Sequence, residues 1–178
     1  SNKHKIDDLL AESISHENQK VNGVHTKNKF YESDVVICNQ DIYFVYERLL
    51  KNKKVAQELK QQERSTSAII FYWGINREFD DLNLHNIFFS KNYKDEFNEI
   101  SCEKNVPDDP TIYVNISSKE QKNDAPKNCE NWFVMINTPS NYGQDWGTIV
   151  SIARKNIIDK LNRILGTTIE HHIVFENI

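Results

Sequence analysis

The stretch Ser67-Ala-Ile-Ile-Phe-Tyr-Trp73 is rich in β-branched and aromatic residues and stops at Gly74, a pattern typical of a β-strand. Successive side chains of a strand point to opposite faces, so Ile69, Phe71 and Trp73 share one face and the two residues between them share the other. Both faces are apolar. The pattern therefore predicts either a sheet buried on both sides or a sheet that packs on helices on one side and lines a ligand cavity on the other.

From Ser65 onward the chain alternates strand-like and helix-like patterns. Further strands are predicted where β-branched and aromatic residues cluster between turn residues, at residues 84–89, 111–116, 131–136 and 169–175. Helices are predicted where apolar residues recur every three or four positions, at residues 91–101 and 147–165. Gly166 follows the second helix, where a glycine commonly ends a helix. We therefore expect an α+β fold over residues 65–178, with a mostly antiparallel sheet and flanking helices.

The residues before Ser65 follow a different pattern. Short strands with polar turns between them are predicted at residues 12–16, 21–26, from residue 30 and at 34–38, while residues 1–11 allow a short helix. The run Asp34-Val-Val-Ile-Cys38 is apolar enough for a strand buried on both faces. Asp41 precedes apolar residues with helical spacing, and its carboxylate can accept from the free N–H groups of a first helical turn. The chain is thus predicted to comprise a β-rich segment (1–40), a connecting helix (41–64) that breaks near Asn52, and the α+β domain (65–178).

Composition excludes several classes of protein. The chain has 178 residues, of which 38% are hydrophobic and 11% aromatic, too many aromatic residues for a disordered polyelectrolyte. Its formal charge of −4 provides no basic surface for a nucleic acid. No apolar run approaches the roughly 18 residues of a transmembrane helix, and no apolar segment follows the basic N-terminus as in a secretory signal. The three cysteines are widely spaced and odd in number, so we expect reduced thiols and a cytoplasmic protein.

Motifs that carry recognisable chemistry are absent. The five glycines form neither a GxGxxG fingerprint nor a phosphate-binding loop, so the chain by itself has no nucleotide site. His171 and His172 would point to opposite faces of a strand, and we expect no metal site. His85 precedes an apolar strand, and for it a structural role and a functional role both remain open. The paired aspartates at residues 80–81 and 108–109 are better explained as solvated turns than as acid–base pairs.

Aromatic residues on the predicted strands are the strongest positive signal. They fall on four strands and comprise Phe71, Tyr72, Trp73, Phe88, Phe89, Tyr113, Trp132 and Phe133. The pattern alone fits a sheet buried on both faces as well as a ligand-lining sheet.

Several separated blocks resemble the phytoene desaturase family, FAD-dependent carotenoid desaturases with an amine-oxidase-like fold. The blocks are STSAIIFYWGI (65–75), LHNIFFSKNYKDEF (84–97), DDPTIYVNIS (108–117) and DAPKNCENWFVMINTP (124–139). Upstream, VNGV (21–24) and SDVVICNQD (33–41) resemble the segment where the family's flavin domain leads into its substrate domain. The blocks FYWGI and ENWFVMIN favour the hydroxycarotenoid 3,4-desaturase branch. The chain departs from the family at Leu84-His85, where paired histidines are frequent, at Glu120-Gln121, where Thr-Asp is frequent, and at Asn128, where glycine is frequent.

This resemblance implies flavin-mediated removal of two hydrogens from a long apolar polyene, in carotenoid biosynthesis. In the family the glycine-rich flavin fingerprint precedes the matched part and a second flavin-contacting segment follows it. The resemblance therefore implies an internal fragment, inactive alone and without bound FAD, in which residues 1–40 end a flavin domain and residues 65–178 form a substrate domain. Since the substrate dissolves in lipid, it also allows peripheral contact with a membrane. No catalytic, cofactor-binding or metal-binding residue is assigned, and the candidate substrate-binding residues are Phe71, Trp73, His85, Phe89, Tyr113 and Phe133.

An alternative class remains open. The same sequence features fit a stand-alone α+β module that binds an apolar ligand without redox chemistry.

Overall fold

The computed structural model describes residues 10–178, which fall into two compact units that divide between residues 63 and 64. The short helix that the sequence allows within residues 1–11 lies almost wholly outside the described residues. The assignment of residues 1–40 to a flavin domain, of 41–64 to a connecting helix and of 65–178 to a substrate domain stays a prediction.

A three-stranded antiparallel sheet opens the first unit. Its strands, in spatial order, are β1 (Ala11–Glu17), β2 (Lys20–Thr26) and β3 (Phe30–Glu32). Asn18 and Gln19 connect β1 to β2 with φ angles of 49° and 66°, because a tight hairpin whose twist matches its strands needs two left-handed residues. At Gly23 a Cβ would lie 2.1 Å from the Tyr31 carbonyl oxygen, so only glycine fits this position in β2. The strands predicted at residues 12–16, at 21–26 and from residue 30 are confirmed.

The predicted buried strand at Asp34–Cys38 is wrong. These residues form no strand, and the side chains of Val35 and Ile37 are 71% and 93% exposed. The Ser33 hydroxyl bonds locally to the backbone of Val35, donating to its carbonyl at 2.6 Å and accepting from its N–H at 3.3 Å. Such local bonds compete with strand pairing, and none of the described strands pairs with this run.

Two short helices complete the first unit. They are α1 (Ile42–Phe44), which continues as a π-helical turn over Val45–Leu49, and α2 (Lys53–Lys60). As predicted, Asp41 caps the first of them, and its carboxylate accepts from the N–H of Tyr43 at 2.8 Å. Asn52 caps α2 through a bond from the N–H of Val55, so the predicted helix breaks where the sequence places a new cap.

The second unit is built on a five-stranded sheet. Its main elements in chain order are β4 (Ser67–Ile75), β5 (His85–Phe88), α3 (Tyr93–Asn98), β6 (Ile112–Asn115), β7 (Glu130–Thr138), α4 (Trp146–Leu165) and β8 (Ile173–Asn177). A π-helical turn follows α3 at Glu99–Glu103, and 3₁₀ turns occupy Ser117–Lys119, Lys122–Asp124 and Ile169–His172. The spatial order is β5-β6-β7-β4-β8, with every neighbouring pair antiparallel. The predicted α+β class is confirmed, although the last strand begins only at Ile173 because a 3₁₀ turn comes first.

One face of this sheet packs on α4. Phe71 and Trp73 of β4 belong to the same buried cluster as Ala153, Ile157 and Leu161 of the helix, and all five side chains are at most 1% exposed. Gly166 ends α4 with φ of 63°, the left-handed conformation that closes a helix. The interior of the unit therefore lies between α4 and one side of the sheet.

A buried lysine fastens α4 to the loops beyond β5. Lys160 is 4% exposed, and its Nζ donates to the carbonyl oxygens of Phe89 and Pro110, both at 2.8 Å, and pairs with Asp109 Oδ1 at 2.9 Å. Burial acts to raise the pKa of Asp109, but the hydrogen bonds from Lys160 and from the N–H of Lys91 outweigh it and hold the pKa below its usual range. All three donor positions of the ammonium group are thus used.

Replacing this lysine should destabilise the unit. Lys160→Met leaves two carbonyl oxygens without a donor, and we expect the free energy of unfolding to fall by about 2–3 kcal/mol. Lys155→Met is the matched control on the same helix, because Lys155 is 74% exposed and pairs with the exposed Asp159. It should change stability by less than about 0.5 kcal/mol. Urea unfolding followed by circular dichroism measures both. Equal losses in the two variants would contradict this role of Lys160.

Candidate functional site

The side of the sheet that points away from α4 has no helix of the second unit packed on it. Alternation along the strands assigns its residues, and the pairings of Tyr72 with Phe133, Tyr113 with Met135 and His85 with Asn115 align them across the strands. We call this side the open face. Its members are Ala68, Ile70, Tyr72, Gly74, His85, Ile87, Tyr113, Asn115, Asn131, Phe133, Met135, Asn137, Phe175 and Asn177.

Four rings cross the open face from one strand to the next. Tyr72 on β4 meets Phe133 on β7 edge to face at 5.6 Å between ring centroids, and Phe133 meets Tyr113 on β6 at 6.2 Å. Tyr113 then stacks with His85 on β5 at 6.1 Å and an interplanar angle of 20°. These separations lie in the range of favourable aromatic pairs. We call these four residues the ring row.

Apolar side chains flank the ring row. Ile87 and Phe175 are 55% and 61% exposed, and Tyr72 within the row is 47% exposed. Phe175 comes close to the backbone of β4, since a Cβ at Gly74 would lie 3.1 Å from its Cβ. A contiguous apolar surface that stays exposed is typical of a binding site rather than of a protein surface at large.

A shallow groove continues this apolar surface at the β4 end. Its volume is about 500 Å³, and its lining includes Ala68, Ile70, Tyr72, Trp146 and Ile178. Together the groove and the ring row provide an elongated apolar surface.

The opposite end of the ring row is polar. The Nδ1 atom of His85 lies 2.8 Å from the Tyr113 hydroxyl and 3.2 Å from Nδ2 of Asn115. Asn115 Nδ2 also donates to the carbonyl oxygen of Leu84 at 3.1 Å. In the described part of the chain, Nε2 of His85 has no hydrogen-bond partner.

The six predicted substrate-binding residues fall into three groups. His85, Tyr113 and Phe133 come together in the ring row. Phe71 and Trp73 are 0% and 1% exposed and lie on the opposite side, against α4. This placement does not fit a ligand contact for Phe71 or Trp73, because their side chains have almost no accessible surface.

Phe89 lies outside the ring row. It follows the end of β5, is 66% exposed, and its ring lies 6.3 Å from that of Tyr93. Tyr72, Ile70 and Met135 were not among the candidate residues, but they belong to the open face. The alternation of side chains along β4 already placed Tyr72 and Ile70 on the face opposite Phe71, and this alternation could have identified them.

The residues described here do not by themselves fit an FAD site. A dinucleotide needs a helix N-terminus with free N–H groups and a glycine-rich approach for its pyrophosphate. At the start of α4 the Asp145 carboxylate already accepts from the N–H groups of Gly147 and Thr148. Hydrogen bonds from Thr148 and Gly147 hold the pKa of Asp145 below its usual range, so this end carries a negative charge that repels phosphate.

Two further kinds of site are absent from residues 10–178. No group of three or more His, Cys, Asp or Glu side chains there is arranged to hold a metal ion. None of the helices there combines the length and hydropathy needed to cross a bilayer.

The fold is similar to part of a known oxidoreductase. A crystal structure of an oxidoreductase from Methanosarcina mazei matches 94% of this chain and 36% of its own chain, with a TM-score of 0.53 and 10% sequence identity. At that identity the likeness concerns the fold alone. No protein-family model matches the chain.

Curated relatives give the family. The 1-hydroxycarotenoid 3,4-desaturase of Flavobacterium sp. (strain P99-3) is 49% identical over 166 residues, which is 93% of this chain and 34% of the relative. A phytoene desaturase of Phycomyces blakesleeanus is 31% identical over 84% of this chain and 27% of its own length, and a 4,4'-diaponeurosporene oxygenase of Staphylococcus haemolyticus is 32% identical over 82% and 30%. The chain therefore belongs to the carotenoid desaturases, as its sequence blocks predicted. It spans about one third of the length of these relatives.

Proposed function

We propose that this chain is the substrate-binding part of an FAD-dependent carotenoid desaturase and that its open face contacts a long apolar polyene. The observation that carries the proposal is the partly exposed ring row, which is aromatic, elongated and flanked by the apolar side chains of Ile87 and Phe175. A hydrocarbon offers no hydrogen bonds, so its recognition depends on buried apolar area, at roughly 0.8 kcal/mol for each CH₂ group. An extended surface of rings suits an extended conjugated ligand.

FAD and this chain would have separate roles in the full-length protein. In the full-length protein FAD would supply the redox chemistry, accepting the two hydrogens removed from the polyene. This chain would bind and orient the polyene and keep water from it. Because the polyene dissolves in lipid, the proposal includes a cytoplasmic protein with peripheral contact to a membrane.

A binding experiment on the 178-residue chain tests the proposal. Lycopene in detergent micelles should quench tryptophan fluorescence, since Trp73 and Trp132 lie within the same sheet. Phe133→Asp places a charge in the middle of the ring row, and we expect it to weaken lycopene binding at least tenfold, a loss comparable to removing one buried aromatic contact. Phe133→Leu keeps the surface apolar and should retain most of the affinity.

The matched control is another exposed aromatic residue outside the open face. Tyr142 is 53% exposed and lies beside Lys104, so Tyr142→Asp should leave lycopene affinity unchanged. No binding by the unmodified chain, or equal affinity for Phe133→Asp and the unmodified chain, would overturn the proposal. In the full-length enzyme, Phe133→Asp should lower polyene turnover while flavin content is kept.

A further inference from the structure

A second cavity of the unit lies between the loop after β4 and the connection from β6 to β7. Its volume is about 430 Å³, and none of its lining residues belongs to the open face. We call it the loop cavity. Its charged, hydroxyl and amide side chains are those of Glu78, Ser118, Lys122, Asn123, Lys127 and Asn128. We propose that the loop cavity binds a phosphate group, carried either by inorganic phosphate or by the headgroup of a lipid.

The charge of the loop cavity is positive, although the chain as a whole is acidic. The ammonium groups of Lys122 and Lys127 line the cavity together with a single carboxylate, that of Glu78. Because the formal charge of the chain is −4, the protein has no general attraction for anions. Within residues 10–178 neither lysine side chain has an ion pair or a hydrogen bond. Both are therefore available to an anion, and lysine ammonium groups commonly bind phosphate.

Two turns fix the backbone at these lysines. Lys122 begins the 3₁₀ turn that leads into the connection. Lys127 lies in a turn that the N–H of Cys129 closes by donating to the carbonyl oxygen of Pro126 at 3.0 Å. Asn128, the third residue of this turn, has a φ of 61°, as one common type of turn requires there. A loop that is already ordered loses less conformational entropy when it binds a ligand.

Ser118 is the most buried residue of the lining, with 5% of its surface exposed. Its backbone N–H donates to Oδ1 of Asn131 at 3.0 Å, but its hydroxyl has no hydrogen-bond partner within residues 10–178. Buried hydroxyl groups nearly always have a partner. An unpaired donor in a lining that also carries two free ammonium groups points to a ligand rich in acceptor oxygens, as phosphate is.

The two signs of charge in the lining give predictions of opposite sign. Lys122→Gln and Lys127→Gln each remove one positive charge, so each should weaken phosphate binding about fivefold. Glu78→Gln removes the opposing carboxylate and should strengthen binding about twofold. Lys94→Gln is the matched control, because Lys94 is an exposed lysine that does not line the loop cavity. It should leave the affinity unchanged.

Ser118→Ala separates ligand binding from folding. The substitution removes a hydroxyl that has no partner, so urea unfolding without phosphate should show no loss of stability. The affinity for phosphate should still fall about threefold, because one donor to the ligand is missing.

Two probes distinguish the sources of the phosphate group. Inorganic phosphate is titrated into the 178-residue chain at low ionic strength, where salt screens the charges least, and NMR follows the backbone amides of the lining residues. These amides should shift with a common dissociation constant. Vesicles of phosphatidylcholine and phosphatidic acid are compared with vesicles of phosphatidylcholine alone by cosedimentation. Sedimentation that requires phosphatidic acid and is lost in Lys122→Gln and Lys127→Gln would identify a lipid headgroup as a source.

Binding of either probe with the predicted order of variants supports the loop cavity as a phosphate site. The proposal is overturned if neither probe binds the unmodified chain, or if Lys94→Gln weakens binding as much as Lys122→Gln and Lys127→Gln do. Weaker binding by Glu78→Gln, or unchanged binding by Ser118→Ala, would overturn it too. None of these results bears on the polyene contact, because the loop cavity and the open face share no residue.

Discussion

Phe71→Asp is expected to unfold residues 64–178. The Phe71 side chain is 0% exposed and lies in the cluster between β4 and α4. Truncating a buried phenylalanine to alanine costs about 3–5 kcal/mol, and an aspartate adds the penalty of a buried charge without a partner. Because a domain of this size is stable by only about 5–15 kcal/mol in total, little native structure should remain. Near-ultraviolet circular dichroism and urea unfolding measure this directly.

The next residue along the chain provides the matched control. Tyr72 points to the open face and is 47% exposed, so Tyr72→Asp loses one ring contact with Phe133 and some strand propensity. We expect a decrease of less than about 2 kcal/mol in the free energy of unfolding. The same substitution at adjacent positions should thus give a collapsed unit in one case and a folded unit in the other.

A folded Phe71→Asp variant would contradict the assignment of the two faces. So would a Tyr72→Asp variant as unstable as Phe71→Asp, since that would mean that both sides of β4 are buried. The experiment therefore tests the geometry on which the proposed function depends, and it does so without any ligand.

Sequence patterns predicted most elements because each pattern is local. The alternation in Ser67–Trp73, the spacing of apolar residues before Gly166 and the carboxylate at Asp41 each determine one element through neighbours in sequence. The run at Asp34–Cys38 failed for the same reason. Its composition suits a buried strand, but a strand forms only where another strand pairs with it. The sequence of the run does not specify such a partner.

The site was harder to predict because it depends on which face of β4 the helix covers. Both faces are apolar, so the pattern could not distinguish Phe71 and Trp73, which pack on α4, from Tyr72, which does not. The register between strands decides the rest. Tyr72 meets Phe133, and Tyr113 meets His85, across large separations in sequence, and nothing local to either residue specifies its partner.

Two separate observations support the proposed polyene contact. One is that the chain belongs to the carotenoid desaturases, and the other is the apolar open face of its sheet. The relatives are longer proteins, and this chain spans about one third of their length. The ring row is a feature of this chain's own sheet, and a helix could have covered it, as α4 covers the other face. That it stays partly exposed in a chain of this family is the physical reason for proposing polyene contact there.

The largest effect outside the apolar cluster is expected at a buried carboxylate. Glu130, at the start of β7, is 2% exposed, and Lys119 Nζ lies 2.7 Å from its Oε1. The N–H of Phe79 donates to the same oxygen at 3.0 Å, and Nε1 of Trp132 donates to Oε2 at 2.7 Å. Lys119 also donates to the carbonyl oxygen of Phe79 at 2.6 Å. One side chain thus joins the loop after β4, the turn after β6 and the strand β7.

Glu130→Ala should lower the free energy of unfolding by about 3–5 kcal/mol, because it leaves a largely buried ammonium group and two N–H donors without their acceptor. Glu130→Gln keeps the shape and one acceptor oxygen but turns an NH₂ group toward a donor, so we expect an intermediate loss. Glu78→Ala is the control, since Glu78 is an exposed acidic residue beside the same loop, and it should stay within about 0.5 kcal/mol of the unmodified chain. Urea unfolding ranks the three variants. If Glu130→Ala were no less stable than Glu130→Gln, the buried acceptor would not be what holds Phe79 and Lys119 in place, and apolar packing around Phe79 and Trp132, whose rings lie 5.2 Å apart, would be sufficient to do so.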